Sequence, residues 1–208
     1  MHLLNQKIEF PNVQEADDEG LLAIGGDLSV ERLLLAYKSG IFPWFNENDP
    51  ILWWSPDPRF VLFPEKLKVS KSMKQVLRNT DFTVTINQDF LSVIQECAKA
   101  KREGQSGTWI TDTMVQAYLK LHELGYAKSV EVWQGNTLVG GLYGVDLNNG
   151  VFCGESMFTK VSNASKVGFI TLIQNTNYKL IDCQVYTNHL ASLGAEDISR
   201  EDFMAFFK

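Results

Sequence analysis

The chain has 208 residues, 45% hydrophobic and 21% charged, with a net charge of −6; this balance fits a folded globular protein and leaves no polar tract for a disordered arm. No window reaches the roughly 18 consecutive apolar residues of a membrane span, and the start MHLLNQK has no signal-peptide core, so a cytoplasmic protein is expected. Cys97, Cys153 and Cys183 are odd in number and set in apolar segments, and with only His2, His122 and His189 beside them neither a disulfide framework nor a metal site is expected.

Residues up to about Pro64 are rich in Gly, Pro and Trp, whereas the remainder shows regular helix and strand patterns. This predicts a small N-terminal domain over 1–63 and a larger one over 64–208. In the first part Ser29 caps a short helix carrying Leu33, Leu34 and Tyr37 on one side, and Gly40 ends it. The aromatic and proline-rich runs Ile41–Phe45 and Trp53–Arg59 read as rigid, shaped loops.

From Ser70 a helix turns Met73, Val76 and Leu77 inward and sets Lys71, Lys74 and Arg78 on another face. A net negative charge repels nucleic acid at long range, so any RNA contact has to rest on a local patch of this kind; the alternative is a solvated helix face. Phe82–Ile86 alternates as a strand. Phe90, Val93, Ile94, Cys97 and Ala98 then follow the helix period, with a basic end at Lys99, Lys101 and Arg102 and a stop at Gly104. Another helix is expected from about Asp112, with Met114, Tyr118 and Leu121 inward, until Gly125.

Lys128–Phe158 reads as three strands joined at Gln134-Gly135-Asn136 and Asn148-Asn149-Gly150, a β-meander. A helix opened by Ser162 or Asn163 follows, then a strand Leu180–Tyr186 and a terminal helix with a Ser199/Asp202 cap. The order is mixed α+β, and meander, helix, strand and helix also describe the C-terminal part of a GNAT-type acyltransferase.

Strand alternation puts Asp182 and Gln184 on one face, either as part of a solvated surface or as a hydrogen-bonded pair in which the carboxylate orients the amide. Glu155 falls with Cys153 and Met157 on an apolar face and needs a partner, either an internal donor or a ligand amine or hydroxyl. The start of the helix at Ser162–Lys166 can receive a phosphate or simply be capped. No P-loop, dinucleotide fingerprint or GxSxG element occurs.

In order along nearly the whole chain, the runs Gly20–Leu28, Ala36–Phe45, Trp53–Arg59, Gly107–Ile110, Ser129–Trp133, Gly140–Gly144, Gly154–Phe158, Asp182-Cys183-Gln184 and His189–Ala195 resemble the leucyl/phenylalanyl-tRNA–protein transferase family. Lys38, Thr159 and Gly168 stand where that family usually has Arg, Ser and Ala. The resemblance implies a small N-terminal α/β domain packed on a GNAT-like domain with a mixed sheet, and no metal or organic cofactor. It implies transfer of Leu or Phe, with Met a third donor, from aminoacyl-tRNA to proteins beginning with Arg or Lys, which marks them for N-end rule degradation.

It also implies that Asp182 and Gln184 are the catalytic pair and that Glu155, flanked by Ser156 and Met157, helps hold the aminoacyl-adenosine end. An apolar donor pocket is expected, with Tyr37, Trp44, Trp109 and Phe158 as aromatic candidates. Lys71, Lys74 and Arg78 are the candidate tRNA contacts, and a monomer is the default. Two other classes stay open: a GNAT enzyme using acyl-CoA, against which stands the lack of its glycine loop between Glu155 and Ser165, and a non-catalytic RNA-binding module.

Overall fold

A computed structural model of the protein describes residues 2–79, 81–100 and 108–207; Lys101, Arg102, Gly104 and Gly107 lie outside them. The chain begins with β1 (His2–Leu4), β2 (Leu21–Gly25), α1 (Val30–Lys38), β3 (Phe42–Pro43) and β4 (Leu52–Trp54), whose strands form a small sheet in the order β1-β2-β4-β3. These strands are two to five residues long, too short to show a period, which is why the aromatic runs read as loops. Leu22, Ala23 and Trp53 are nonetheless fully buried, and Trp53 Nε1 donates to the Gly25 carbonyl at 2.8 Å. Ser29 caps α1 through the Arg32 amide, and Gly40, at φ +70°, ends it.

The remaining elements are β5 (Arg59–Leu62), α2 (Lys71–Asn79), β6 (Phe82–Ile86), α3 (Phe90–Lys99), α4 (Asp112–Glu123), β7 (Ala127–Gln134), β8 (Thr137–Asp146), β9 (Val151–Thr159), α5 (Ala164–Gln174), β10 (Leu180–Gln184), α6 (Asn188–Ser192), β11 (Glu196–Ile198) and α7 (Arg200–Met204). Among the described residues seven strands form one mixed sheet, ordered β11-β5-β10-β9-β8-β7-β6, in which β9 and β10 are parallel and the other pairs antiparallel. The architecture is α+β. The expected meander, helix and strand are β7-β8-β9, α5 and β10. The strand β5 precedes Pro64 in the chain and runs inside this sheet, between β10 and β11.

Alternation sends successive residues to two opposite cores. Val61, Cys153 and Leu180 join Tyr37, Trp53, Phe90 and Tyr118 on the face that carries the small sheet, α3 and α4, while Leu62, Phe152 and Ile181 join Met73, Phe169 and Ile170 on the face that carries α2 and α5. Gly140 lets α5 sit directly on β8, since a Cβ there would lie 2.6 Å from Ala164 Cβ. The last predicted strand is shorter than its pattern: β10 stops at Gln184, which adopts φ +65°, and the unforeseen α6 and β11 follow.

Candidate active site

The site forms where two neighbouring strands part. β10 pairs with β9 only as far as Asp182 opposite Cys153. At that level both strands carry an extra residue. Gly154 and Ser156 of β9 face Gly144 and Tyr143 of β8, which makes Glu155 the additional residue. Asp182 and Gln184 of β10 face Val61 and Phe60 of β5, which makes Cys183 additional. Bulges bend a strand and re-aim its side chains, and here two of them hold open a slot through the sheet.

The slot is a cavity of about 430 Å³. On one face Phe42, Trp44, Trp109, Glu155 and Gln184 line it, and on the other Leu142, Met157, Phe169 and Ile181 form an apolar end. Ser156, Phe158 and Asp182 also lie along its wall. Tyr37 does not line it: α1 turns that ring into the core, 2% exposed, and its hydroxyl is hydrogen-bonded to Tyr118. Lys71, Lys74 and Arg78 are exposed on α2 and take no part in the cavity wall. Met157 packs on the α5 side, away from Cys153, because the bulge at Glu155 breaks the alternation that grouped the three.

Asp182 and Gln184 are neighbours, but their side chains have different partners. Both Asp182 oxygens face Arg59: Nε donates to Oδ1 at 2.8 Å and Nη2 to Oδ2 at 2.7 Å. The Gln184 backbone amide donates to the same Oδ1 at 2.9 Å, which pins the main chain at its unusual conformation. Arg59 lies between the Phe42 and Phe203 rings, 4.7 and 4.6 Å from their centroids, and donates to the Gly40 carbonyl. This buried pair ties β10 to the small sheet and to α7.

The carboxylate that meets the Gln184 side chain is Glu155, whose Oε1 accepts from Gln184 Nε2 at 2.9 Å. Its Oε2 accepts from the Tyr118 hydroxyl at 2.9 Å. Burial pushes Glu155 from an ordinary 4.5 up to about 7; the Tyr37 and Tyr118 hydroxyls oppose the rise, nearby Asp182 adds to it and Arg59 offsets it. With the amino end of the Gln184 amide committed to Glu155, its carbonyl is the acceptor left for a ligand. Sequence alone does not assign Arg59, Tyr118, Leu142, Phe169 or Ile181 to the site. Leu142, Phe169 and Ile181 sit in apolar runs with no periodic signal of their own, and Arg59 is legible only as a charge amid aromatics. Among the described residues no group of three or more His, Cys, Asp and Glu could hold a metal ion.

Comparison with known proteins gives the site a context. A family model described as leucyl/phenylalanyl-tRNA protein transferase matches residues 61–208, and one for the N-terminal domain of that transferase matches residues 26–57. A leucyl/phenylalanyl-tRNA–protein transferase of Flavobacterium johnsoniae is 61% identical over 100% of this chain and 99% of its own length. One of Klebsiella pneumoniae is 53% identical over 99% of this chain and 89% of its own. Among solved structures, a GCN5-related N-acetyltransferase from Kribbella flavida aligns with a TM-score of 0.40 at 11% identity, over 78% of this chain and 58% of that one.

Proposed function

The chain belongs to the leucyl/phenylalanyl-tRNA protein transferase family, and we propose on that premise that it moves Leu or Phe, and Met as a third donor, from aminoacyl-tRNA to the N-terminal amine of proteins beginning with Arg or Lys. The carrying observation is the junction of Gln184 with an apolar slot, which sets an amide at the rim of a cavity shaped for an apolar side chain. Leu142, Met157, Phe169 and Ile181 make this end largely apolar, so donors are sorted chiefly by size, at roughly 1 to 3 kcal/mol per methylene. Trp44 and Trp109, at the other face of the cavity, are the aromatic wall of the donor pocket in this reading. Truncating Trp44 to Ala raises the KM for all three donors if this is so.

In this reading the amine nitrogen attacks the ester carbonyl carbon, the ester C–O bond breaks, and the proton lost by the amine ends on the departing ribose oxygen. The donor is already activated, so the enzyme mainly positions the reactants. An N-terminal amine has a pKa of about 8 and is partly neutral near pH 7. The Gln184 carbonyl accepts a hydrogen bond from that amine, one that strengthens as charge develops on nitrogen. Glu155 holds the amide in this orientation. Asp182 acts as a positioning residue, since its contacts are with Arg59 and the Gln184 main chain.

The negative net charge favours a cationic acceptor. We place the reaction in the cytoplasm, where its products enter N-end rule degradation, and assign tRNA phosphates to Lys71, Lys74 and Arg78. Replacing those three with Ala lowers the salt dependence of tRNA binding by roughly 0.7 to 0.9 log units per log salt for each phosphate left unpaired; an unchanged slope assigns the tRNA to another surface. The deciding assay offers an Arg-starting peptide with labelled leucyl-tRNA or acetyl-CoA. Leucyl-peptide is the expected product, while acetyl transfer or RNA binding without transfer overturns the reading.

A further inference from the structure

From α1 to β10 runs a buried line of hydrogen bonds that crosses the whole interior of the site. The Tyr37 hydroxyl bonds that of Tyr118, Tyr118 donates to Glu155, and Glu155 accepts from Gln184. Tyr37, Tyr118, Glu155 and Gln184 are 2, 0, 8 and 9% exposed. Four residues from four elements, far apart in sequence, meet in one polar line inside an apolar core that also contains Leu33, Ala36, Met114 and Leu121. Phenylalanine fills the volume of either tyrosine, so the hydroxyls are not required for packing. What the two hydroxyls serve is each other and Glu155.

We infer that Tyr118, backed by Tyr37, is a positioning residue for aminoacyl transfer: it fixes the Glu155 carboxylate so that Gln184 presents its carbonyl, and not its amino group, to the reacting amine. Both contacts to Glu155 come from donors, an O–H on Oε2 and an N–H on Oε1, which is the pattern an ionised carboxylate satisfies. A proton on Oε1 makes that oxygen a donor and turns the amide over, whereas a proton on Oε2 is accepted by Tyr118, which then donates to Tyr37. A turned amide offers N–H groups to the amine and cannot accept from it. The inference rests on the proposed transfer activity and names what holds its centre in register.

The groups around Glu155 are the Tyr37 and Tyr118 hydroxyls from α1 and α4, Tyr143 on β8, Cys153 on β9, Asp182 and Gln184 on β10, and Arg59 on β5. Removing the Tyr118 hydroxyl takes away a donor that favours the ionised form, so the Glu155 titration moves upward.

The test uses the full chain as wild type, Tyr118→Phe and Tyr37→Phe, with the Glu155 carboxyl followed by carbon-13 NMR and transfer measured from pH 6 to pH 9. Tyr118→Phe is expected to raise the Glu155 midpoint by roughly one pH unit and lower kcat near pH 7 about fivefold, with recovery at high pH and little change in donor KM. Tyr37→Phe moves the same readouts in the same direction and serves if Tyr118→Phe does not fold. An unmoved midpoint, or a moved midpoint with unchanged kcat at pH 7, overturns the inference. Absence of transfer by the wild type overturns the proposed function instead and leaves the titration result to be read by itself.

Discussion

The two sides of the slot each bury a carboxylate, and they treat it in opposite ways. On the β10 side Asp182 meets a guanidinium held between two aromatic rings. On the β9 side Glu155 meets an amide and a phenolic hydroxyl, both neutral, and its affinity for a proton rises to about 7. Burial is nearly the same for both, 0% and 8% exposed. The identity of the partner therefore decides the role: a full counter-charge makes a fastening, while neutral donors leave a group that titrates in the working range.

The fastening gives the largest effect. Arg59→Met leaves the Asp182 carboxylate buried without its counter-ion, and the expected loss is about 3–5 kcal/mol in urea unfolding. Changing both partners, Arg59→Met with Asp182→Leu, recovers most of it, because no charge then remains in the core. A loss below about 1 kcal/mol in Arg59→Met means that water or relaxation reaches Asp182, and the contrast between the two sides disappears.

On the β9 side the effect is smaller and depends on pH. Glu155 binds its proton more tightly when folded, about 7, than when unfolded, 4.5. Its contribution is therefore undiminished below about 4.5 and is lost as pH rises to about 7. The window spans about 2.5 units, a ceiling of about 3 kcal/mol. Glu155→Gln lacks this loss, so its stability relative to wild type improves between pH 5 and pH 8. Thermal unfolding of both proteins at the two pH values measures the change, and equal slopes would show that Glu155 is not raised.

How far the two sides could be read in advance differs as well. Local patterns specify α2, β6, α4 and the meander within a residue or two, and α3 at its start, because amphipathic period and turn residues such as Asn148-Asn149-Gly150 act over short distances; α3 ends at Lys99, ahead of the stop expected at Gly104, which lies outside the described residues. The alternation of Asp182 and Gln184 correctly makes them neighbours. What it cannot contain is the extra residue in each strand, since a bulge is defined against the partner strand and not within its own. Arg59 lies 123 positions from Asp182, and Tyr118 lies 37 from Glu155. Pairings at such separations leave no mark on local spacing. The strands of the small sheet escaped for another reason, being too short for any period to appear.

The finest test asks which carboxylate the Gln184 side chain depends on during transfer. Adjacency on one strand suggests Asp182, and from that alone Asp182→Asn and Gln184→Ala should be non-additive. The contacts say otherwise. Asp182 reaches residue 184 through the backbone amide, which survives in Gln184→Ala, whereas Glu155 reaches it through the side-chain amide, which does not. In single-turnover transfer, the cycle of Glu155→Gln with Gln184→Ala is expected to show a coupling of about 1–2 kcal/mol, and that of Asp182→Asn with Gln184→Ala below about 0.5 kcal/mol. The variants must be compared at a temperature where Asp182→Asn remains folded, because that substitution disturbs the buried pair. Equal couplings would mean that the backbone at residue 184 shifts whenever Asp182 is altered, merging the fastening and the titrating side into one unit. A larger coupling to Asp182 would restore the carboxylate-to-amide pairing that strand alternation first suggests.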